Sequence, residues 1–409
     1  MDTTDRLHAL DAVRAFALLL GIVLHATFSF VPGMEQAGWP IADNSPSAPL
    51  GATFFVIHIF RMTLFFAIAG YFARILFHRG GARQFWKDRS KRILVPLVLA
   101  WPVVMLLVTA AMYWAAMNTG KPLVVPRPPA DTVAPFQWEH LWFLYVLWWF
   151  YVLFLGARAL IMAMPRVSGL STRVADTGIT WITSLPLGAV LLAVPVGLVL
   201  YGRHPWFSWN GIPTPDESLL INLPALVGFG VAFTFGWMLQ RQPRALDAMG
   251  RRCGSYAVVA TGLTILALSI SGVSLSAKAF SLGGIERVIY VVAYCSASWC
   301  WTFAIIGAAV RYLSRASPLR RYLADASYWM YLMHLPVVFG LQATMLRWDL
   351  HWSVKFALIL CVTSLVMLLS YHYLVRSTAI GLLLNGRRHP RTRMADAWRG
   401  PGEAATVTE

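Results

Sequence analysis

The feature that most constrains this chain is its first hydrophobic run, residues 10–31, which carries three ionisable side chains. The run is long enough to cross a bilayer, since a transmembrane helix needs about 20 mostly apolar residues. At about 100° per residue, the eleven-residue step from Arg14 to His25 closes to within about 20° of three full turns, and Asp11 lies on the same line to within about 40°. Because ionisable groups are costly in lipid, this stripe is expected to face a bundle interior or a hydrated cavity. A polar seam that only holds helices together is the alternative.

Similar hydrophobic runs recur along the whole chain of 409 residues, which is 58% hydrophobic and 13% charged. This composition is typical of an integral membrane protein. We predict about ten transmembrane segments, at residues 11–31, 51–77, 93–117, 140–163, 181–201, 219–240, 254–274, 287–312, 326–346 and 354–375. The predicted fold is an all-α, polytopic membrane helical bundle. It comprises a transmembrane domain over residues 1–376 and a basic cytoplasmic tail over 377–409.

The formal net charge of +16 is distributed unevenly between the connections. In the ten-segment arrangement, the connections on the side of the termini hold 22 Lys and Arg residues, and those on the opposite side hold 5. The positive-inside rule therefore predicts that both termini are cytoplasmic. Since the charge follows the topology, no nucleic-acid partner is indicated. The basic tail is expected to be disordered or to lie on anionic lipid headgroups. The four cysteines lack metal-ligand spacing, and no metal is expected.

Two further histidine-bearing runs could contribute to chemistry near mid-membrane. The second run holds His58 and Arg61, three residues apart and therefore on adjacent faces of one helix. A buried Arg61 must meet an anion, carbonyl groups or water. In the ninth run, Tyr331 and His334 share a face. A satisfied structural histidine is the alternative interpretation for each.

Three groups outside the membrane core are also candidates for binding. His140 and Trp142 open the fourth run at its outer end, where the simpler interpretation is an interface anchor. The basic connection after the second run contains Arg89, Lys91 and Arg92, which either mark topology or hold phosphate groups. The predicted outer loops are rich in tryptophan, which favours an interfacial aromatic belt over platforms for sugar rings; these residues are Trp39, Trp138, Trp206 and Trp209.

The chain resembles the acyltransferase-3 membrane family in five motifs that follow one another in the right order. They are DAVRAFALLLGIVLH, the FRM and FFAIAGYF of the second run, the RSKR that follows it, HLWFL at 140–144 and SYWMYLMHLP at 327–336. The resemblance covers roughly residues 7–376. Within the family it is greatest to the glucan-modifying branch, the succinyltransferases of osmoregulated periplasmic glucans.

The resemblance implies roles for several residues. One hallmark of the family is an arginine and a histidine separated by ten residues, which Arg14 and His25 match. A second hallmark is Arg-x-x-Arg, which Arg89 and Arg92 match. The family uses an acyl-CoA co-substrate bound from the cytoplasm, a glycan hydroxyl acceptor presented outside, and the histidine as the catalytic group. Ala69 replaces the family's usual serine, and Tyr371-His372-Tyr373 stands where relatives often carry a carboxylate.

The function expected from residues and resemblance together is membrane O-acyl transfer. The acyl group, succinyl as first choice and acetyl as second, would pass from succinyl-CoA or acetyl-CoA to a hydroxyl of an extracytoplasmic glycan such as a periplasmic glucan. His25 would act as general base, with Arg14 or Arg61 stabilising charge and Asp11 holding Arg14. No permanently bound cofactor is expected. The protein is expected to lie in a bacterial inner membrane. Its expected partners are membrane lipid, the glycan acceptor and other glucan-synthesis proteins.

Two functions of other classes remain open at the level of sequence. A transporter or flippase for glycans or lipid-linked sugars would also line its pathway with buried charges. A non-catalytic sensor or scaffold would tolerate the loss of His25. Binding of CoA to the purified protein distinguishes the acyltransferase from the transporter.

Overall fold

The computed structural model describes residues 3–36, 39–120, 133–185, 188–204, 206–275 and 282–391. These ranges are helical and contain no β-strand, only an isolated bridge between Pro135 and Ser218. The helices in chain order are α1 (Thr3–Phe28), α2 (Ala48–Thr119), α3 (Trp142–Met162), α4 (Pro165–Ser184), α5 (Gly188–Gly202), α6 (Leu223–Leu239), α7 (Pro243–Ser271), α8 (Gly284–Tyr312), α9 (Pro318–Met345), α10 (Trp352–Ser370) and α11 (Ala379–Asn385).

Among the described residues, six helices are long and apolar enough to cross a membrane. The number is seven if the end of α4 and α5, which meet at an angle of 112°, form one bent span. Each of the ten predicted segments overlaps a helix. The all-α membrane class is therefore confirmed, whereas the count of ten spans and the cytoplasmic position of the termini stay predictions.

Helix α2 differs from the prediction because it runs through the expected connection at residues 78–92. Its 72 residues include two predicted segments, and the basic stretch between them is helical except at Gly81. Gly81 has φ 69° and ψ 178°, a conformation that side chains with a Cβ rarely adopt. The Ala, Arg, Gln and Lys residues after Gly81 favour helix formation, which explains why the helix resumes at once.

Backbone contacts divide the chain into two compact units. Unit 1 comprises Met1–Gly51, Val98–Val125 and Tyr312–Glu409, and it includes α1, the second part of α2, and α9 to α11. Unit 2 comprises Ala52–Leu97 and Pro126–Arg311, and it includes the first part of α2 and most of the helices from α3 to α8.

Polar contacts between helices stabilise unit 1. Trp329 of α9 donates its indole N–H to Ser370 Oγ of α10 at 2.9 Å, and Asn118 of α2 donates to the Ala343 carbonyl at 3.1 Å. Beyond α10, Arg387 Nη2 lies 2.7 Å from Asp325 Oδ2. The first part of the predicted tail thus contacts α9, and residues 392–409 lie outside the described ranges.

Unit 2 packs helices α2 and α6 backbone to backbone. A Cβ at Gly236 of α6 would lie 1.7 Å from the Ala67 carbonyl oxygen, and one at Gly70 of α2 would lie 2.0 Å from that of Phe233. Small residues permit this approach between membrane helices. Aromatic rings fill the space beside the contact, where Phe66 stacks on Phe229 at 4.8 Å between centroids.

Candidate active site

The polar stripe of α1 begins with an ion pair in its first half. Arg14 Nη2 lies 3.1 Å from Asp11 Oδ1, one helical turn apart, and both side chains are more than a third exposed. Exposed pairs at this spacing contribute at most about 1 kcal/mol to stability. The pair places the Asp11 carboxylate beside the Arg14 guanidinium, and the holding role of Asp11 stays a prediction.

His25 lies in the last turn of α1, beside His334 of α9. Their ring centroids are 5.3 Å apart and their planes are inclined by 49°. His334 is 1% exposed, whereas His25 is partly accessible. Tyr331 is also buried, with its ring centroid 6.4 Å from that of His334. Three residues expected from the sequence are thus assembled in unit 1.

The hydrogen bonds of His334 define its tautomer. Its Nδ1 lies 3.0 Å from the Met330 carbonyl oxygen and 2.8 Å from that of Tyr331. Since carbonyl oxygens only accept, Nδ1 must carry the proton. In the neutral ring, Nε2 then holds the lone pair, so any proton that His334 accepts must go to Nε2.

Gln342 of α9 belongs to the same site and was missed by sequence reasoning. Its Nε2 donates to the carbonyl oxygens of His25 at 3.0 Å and Ala26 at 3.1 Å. The last four carbonyls of a helix lack partners within the helix, so this amide completes the end of α1. The available signal was the eleven-residue step from Tyr331 to Gln342, which puts both on one face of α9 just as it aligns Arg14 with His25.

His58 and Arg61 lie on the part of α2 that belongs to unit 2. His58 stacks on Phe54 at 5.4 Å, and Phe54 stacks on Trp209 at 4.9 Å between centroids. The Nδ1 atom of His58 is buried and has no hydrogen-bond partner among the described residues. Arg61 is partly buried.

His140 and Trp142 are also in unit 2, at the start of α3. Both are buried, with exposed fractions of 7% and 6%. Trp142 packs on Phe229 at 5.5 Å between ring centroids. These positions correct the interface-anchor interpretation, because both side chains are enclosed by protein.

The basic stretch of α2 contacts α3. Arg89 is partly buried near the Tyr151 phenol, and its Nε is buried with no partner in the described chain. Arg92 is close enough to Arg89 for the two charges to repel each other. Lys91 is exposed. Two adjacent guanidinium groups, one with an unsatisfied donor, are suited to a multivalent anion.

A cluster of acidic residues in a loop of unit 2 was not predicted. Burial raises the pKa of Asp216, whose Oδ1 accepts a hydrogen bond from Thr214 at 2.8 Å. Burial also raises the pKa of Glu217, with a further contribution from the charge of Asp216. This loop pairs with residues 134–138, since Trp138 N donates to the Asp216 carbonyl at 2.7 Å.

Taken together, the apolar helices define a multi-pass membrane protein, and the imidazoles of His25 and His334 lie side by side at the end of α1. The family model described as an acyltransferase domain matches residues 7–372. The chain therefore belongs to the acyltransferase-3 family, whose members transfer acyl groups.

Curated relatives include proteins named "Glucans biosynthesis protein C" from Salmonella paratyphi B, Salmonella heidelberg and Salmonella agona. Each is 34% identical to this chain over 146 residues, which is 35% of this chain and 36% of the relative. The match thus spans about a third of these relatives' length. No solved structure matches the chain significantly.

Proposed function

We propose that this enzyme transfers an acyl group from acyl-CoA, bound from the cytoplasm, to a hydroxyl of an extracytoplasmic glycan. The observation that carries the proposal is the pairing of His25 with His334 at the end of α1. Succinyl is the first-choice acyl group and acetyl the second, by resemblance to the succinyltransferases of periplasmic glucans. The protein would work in a bacterial inner membrane, with both termini cytoplasmic.

His25 would act as the general base. A sugar hydroxyl is a weak nucleophile, so a neutral imidazole must accept its proton as the oxygen attacks the thioester carbonyl carbon. The new C–O bond forms while the carbonyl electron pair moves onto oxygen. When the tetrahedral intermediate collapses, the C–S bond breaks and the imidazolium returns the proton to the CoA thiolate.

His334 would assist through its Nε2 atom. Because carbonyl oxygens fix the proton on Nδ1, Nε2 of the neutral ring presents a lone pair. A neighbouring imidazole lone pair can orient His25 and stabilise the imidazolium that forms during transfer, as the third member of a catalytic triad does. This assignment gives the two histidines different roles.

The donor would be held through the basic stretch of α2. A CoA thioester carries several phosphate groups, and forked Arg donors match phosphate oxygens. The buried, unsatisfied Nε of Arg89 and the proximity of Arg92 support this role. Lys91, which is exposed, would add positive charge without a fixed contact.

The acceptor would be a glucan, a choice supported by the name of the relatives that match part of the chain. Other glucan-synthesis proteins are the expected partners. Transport of a glycan or lipid-linked sugar is the competing function, favoured only by the buried charges. Reporter fusions at residue 44 should be exported, and fusions at either terminus should stay in the cytoplasm, if the proposed orientation holds.

The direct test is reconstitution of the purified protein into liposomes with succinyl-CoA or acetyl-CoA and a glucose oligosaccharide. Mass spectrometry should detect the acylated saccharide together with free CoA. Mass spectrometry of periplasmic glycans from strains with and without the gene identifies the natural acyl group. Saccharide movement across the bilayer without CoA release would support the transporter and contradict the acyltransferase.

A further inference from the structure

The four tryptophans of the predicted outer loops differ in how their indole N–H groups are used. Trp138 donates to the Ser218 carbonyl, Trp206 to that of Gly211 and Trp209 to that of Gly272. These three rings are at most 8% exposed, so they are part of the protein core and not of a lipid-facing belt. Trp39 is different, because its Nε1 is buried and lacks a hydrogen-bond partner in the described part of the chain.

Trp39 lies against the end of α1, in unit 1. Its ring centroid is 4.9 Å from that of Phe28 and 5.9 Å from that of Phe339, both in edge-on arrangements. Phe28 is the last residue of α1, three positions after His25. Trp39 thus contacts a residue that lies one helical turn from His25, the residue to which we assign the base.

A second unsatisfied polar atom lies at the same place. Because both amide hydrogens of Gln342 face the carbonyls of His25 and Ala26, its Oε1 must point elsewhere. Gln342 is 2% exposed, and this oxygen has no partner among the described residues. Phe339, which contacts Trp39, is one turn before Gln342 on α9.

The third such atom is the hydroxyl of Ser29, the residue that follows α1. Ser29 is 2% exposed and its Oγ has no partner in the described ranges. Buried polar atoms are nearly always hydrogen-bonded in folded proteins. The donor of Trp39, the acceptor of Gln342 and the hydroxyl of Ser29 around one helix end match a ligand that offers both donors and acceptors.

The loop that carries Trp39 is fixed by a buried ion pair. Lys355 Nζ lies 3.0 Å from both carboxylate oxygens of Asp43 and 2.9 Å from Asn44 Oδ1, and the Lys355 side chain is 0% exposed. Asp43 N also donates to the Ser29 carbonyl at 2.9 Å. These contacts hold the loop on α1 and α10, so the unsatisfied atoms are pre-organised.

We propose that Trp39, Gln342 and Ser29 form the binding subsite for the polyhydroxylated acceptor. Trp39 Nε1–H donates to a sugar oxygen, Gln342 Oε1 accepts from a sugar hydroxyl, and the Ser29 hydroxyl does either. The subsite rests on the proposed function and adds to it the residues that select a sugar. In this subsite Gln342 contacts the acceptor through Oε1 and the backbone carbonyl of His25 through Nε2.

The test measures apparent Michaelis constants for a glucose oligosaccharide and for acyl-CoA in liposomes. Trp39→Phe keeps the aromatic ring but removes one hydrogen-bond donor. It should raise the Michaelis constant for the saccharide about 2- to 13-fold, the equivalent of one neutral hydrogen bond. The Michaelis constant for acyl-CoA should stay unchanged. Gln342→Met, of similar length, should raise the acceptor constant by at least as much, and Ser29→Ala should act in the same direction.

The matched control is Trp209→Phe, which removes an indole N–H that is bonded to the Gly272 carbonyl. It should lower thermal stability without changing the acceptor constant. If wild-type enzyme transfers acyl groups while Trp39→Phe and Gln342→Met keep wild-type acceptor constants, the subsite is refuted and the function stands. If the wild type shows no transfer to the saccharide, the proposed function itself fails.

Discussion

The imidazole of His25 on α1 and that of His334 on α9 lie with their centroids 5.3 Å apart. The two residues are 309 positions apart in the sequence, yet each is fixed by main-chain carbonyls. Those of residues 330 and 331 accept from His334 Nδ1, whereas the carbonyl of His25 itself accepts from Gln342. Main-chain carbonyls within α9 therefore fix the His334 ring, and Gln342 holds the backbone of α1 at His25.

The role of His334 is tested by His334→Asn, because an asparagine amide can still donate where Nδ1 donates but has no equivalent of Nε2. We expect kcat to fall about 100-fold, the effect of misplacing a catalytic group by about 1 Å, with an unchanged Michaelis constant for acyl-CoA. His334→Gln, which loses the contact with the carbonyls, should be destabilised as well. If His334→Asn keeps the wild-type kcat, His334 has only a structural role.

The donor site is tested by Arg89→Ala and Arg92→Ala. A charge-assisted contact contributes about 1.5–3 kcal/mol, so each variant should raise the Michaelis constant for acyl-CoA about 10- to 150-fold. Arg83→Ala is the matched control, since Arg83 is exposed on the same stretch of α2. Unchanged donor constants in both variants would leave these arginines as topology signals only.

The buried ion pair between Lys355 and Asp43 makes a prediction about stability. Lys355→Met leaves the Asp43 carboxylate buried without its counter-charge, which should lower the free energy of unfolding by about 3–5 kcal/mol. Thermal unfolding in detergent measures the loss. The double variant Lys355→Met with Asp43→Leu should recover much of it, because no lone charge remains. Equal stability of the single and double variants would contradict this account of the loop.

The carboxyl group of Asp216 makes stability depend on pH. Burial raises its pKa, so folding favours the protonated form. Its contribution is full below the pKa of the unfolded chain and is lost as pH rises through the pKa of the folded state. Asp216→Asn should therefore gain in Tm relative to wild type as pH rises from about 4 to about 8. Asp349→Asn, at an exposed position, should show no such trend.

The sequence was sufficient to predict the helical class and the stripe of α1, because hydrophobic run length and helical periodicity are local properties. It also predicted the pairing of Asp11 with Arg14, which are one turn apart. It did not reveal the role of Gln342, since a glutamine on the same face as Tyr331 does not indicate which carbonyls it bonds. The partnership of Lys355 with Asp43, 312 residues apart, depends on tertiary packing in the same way. At residues 78–92 the charges suggested a loop, but the structure is helical there except at Gly81, because the side chains favour helix formation.

The most direct test of the central claim is the rate of acyl transfer by His25→Gln in liposomes. Glutamine cannot accept the proton, but the backbone carbonyl that receives the Gln342 hydrogen bond is retained, so the end of α1 should stay intact. We predict a fall in kcat of about 10²- to 10⁴-fold, with normal thermal stability and normal binding of CoA. Acylated saccharide formed by His25→Gln at near wild-type rates would show that His25 is not the base.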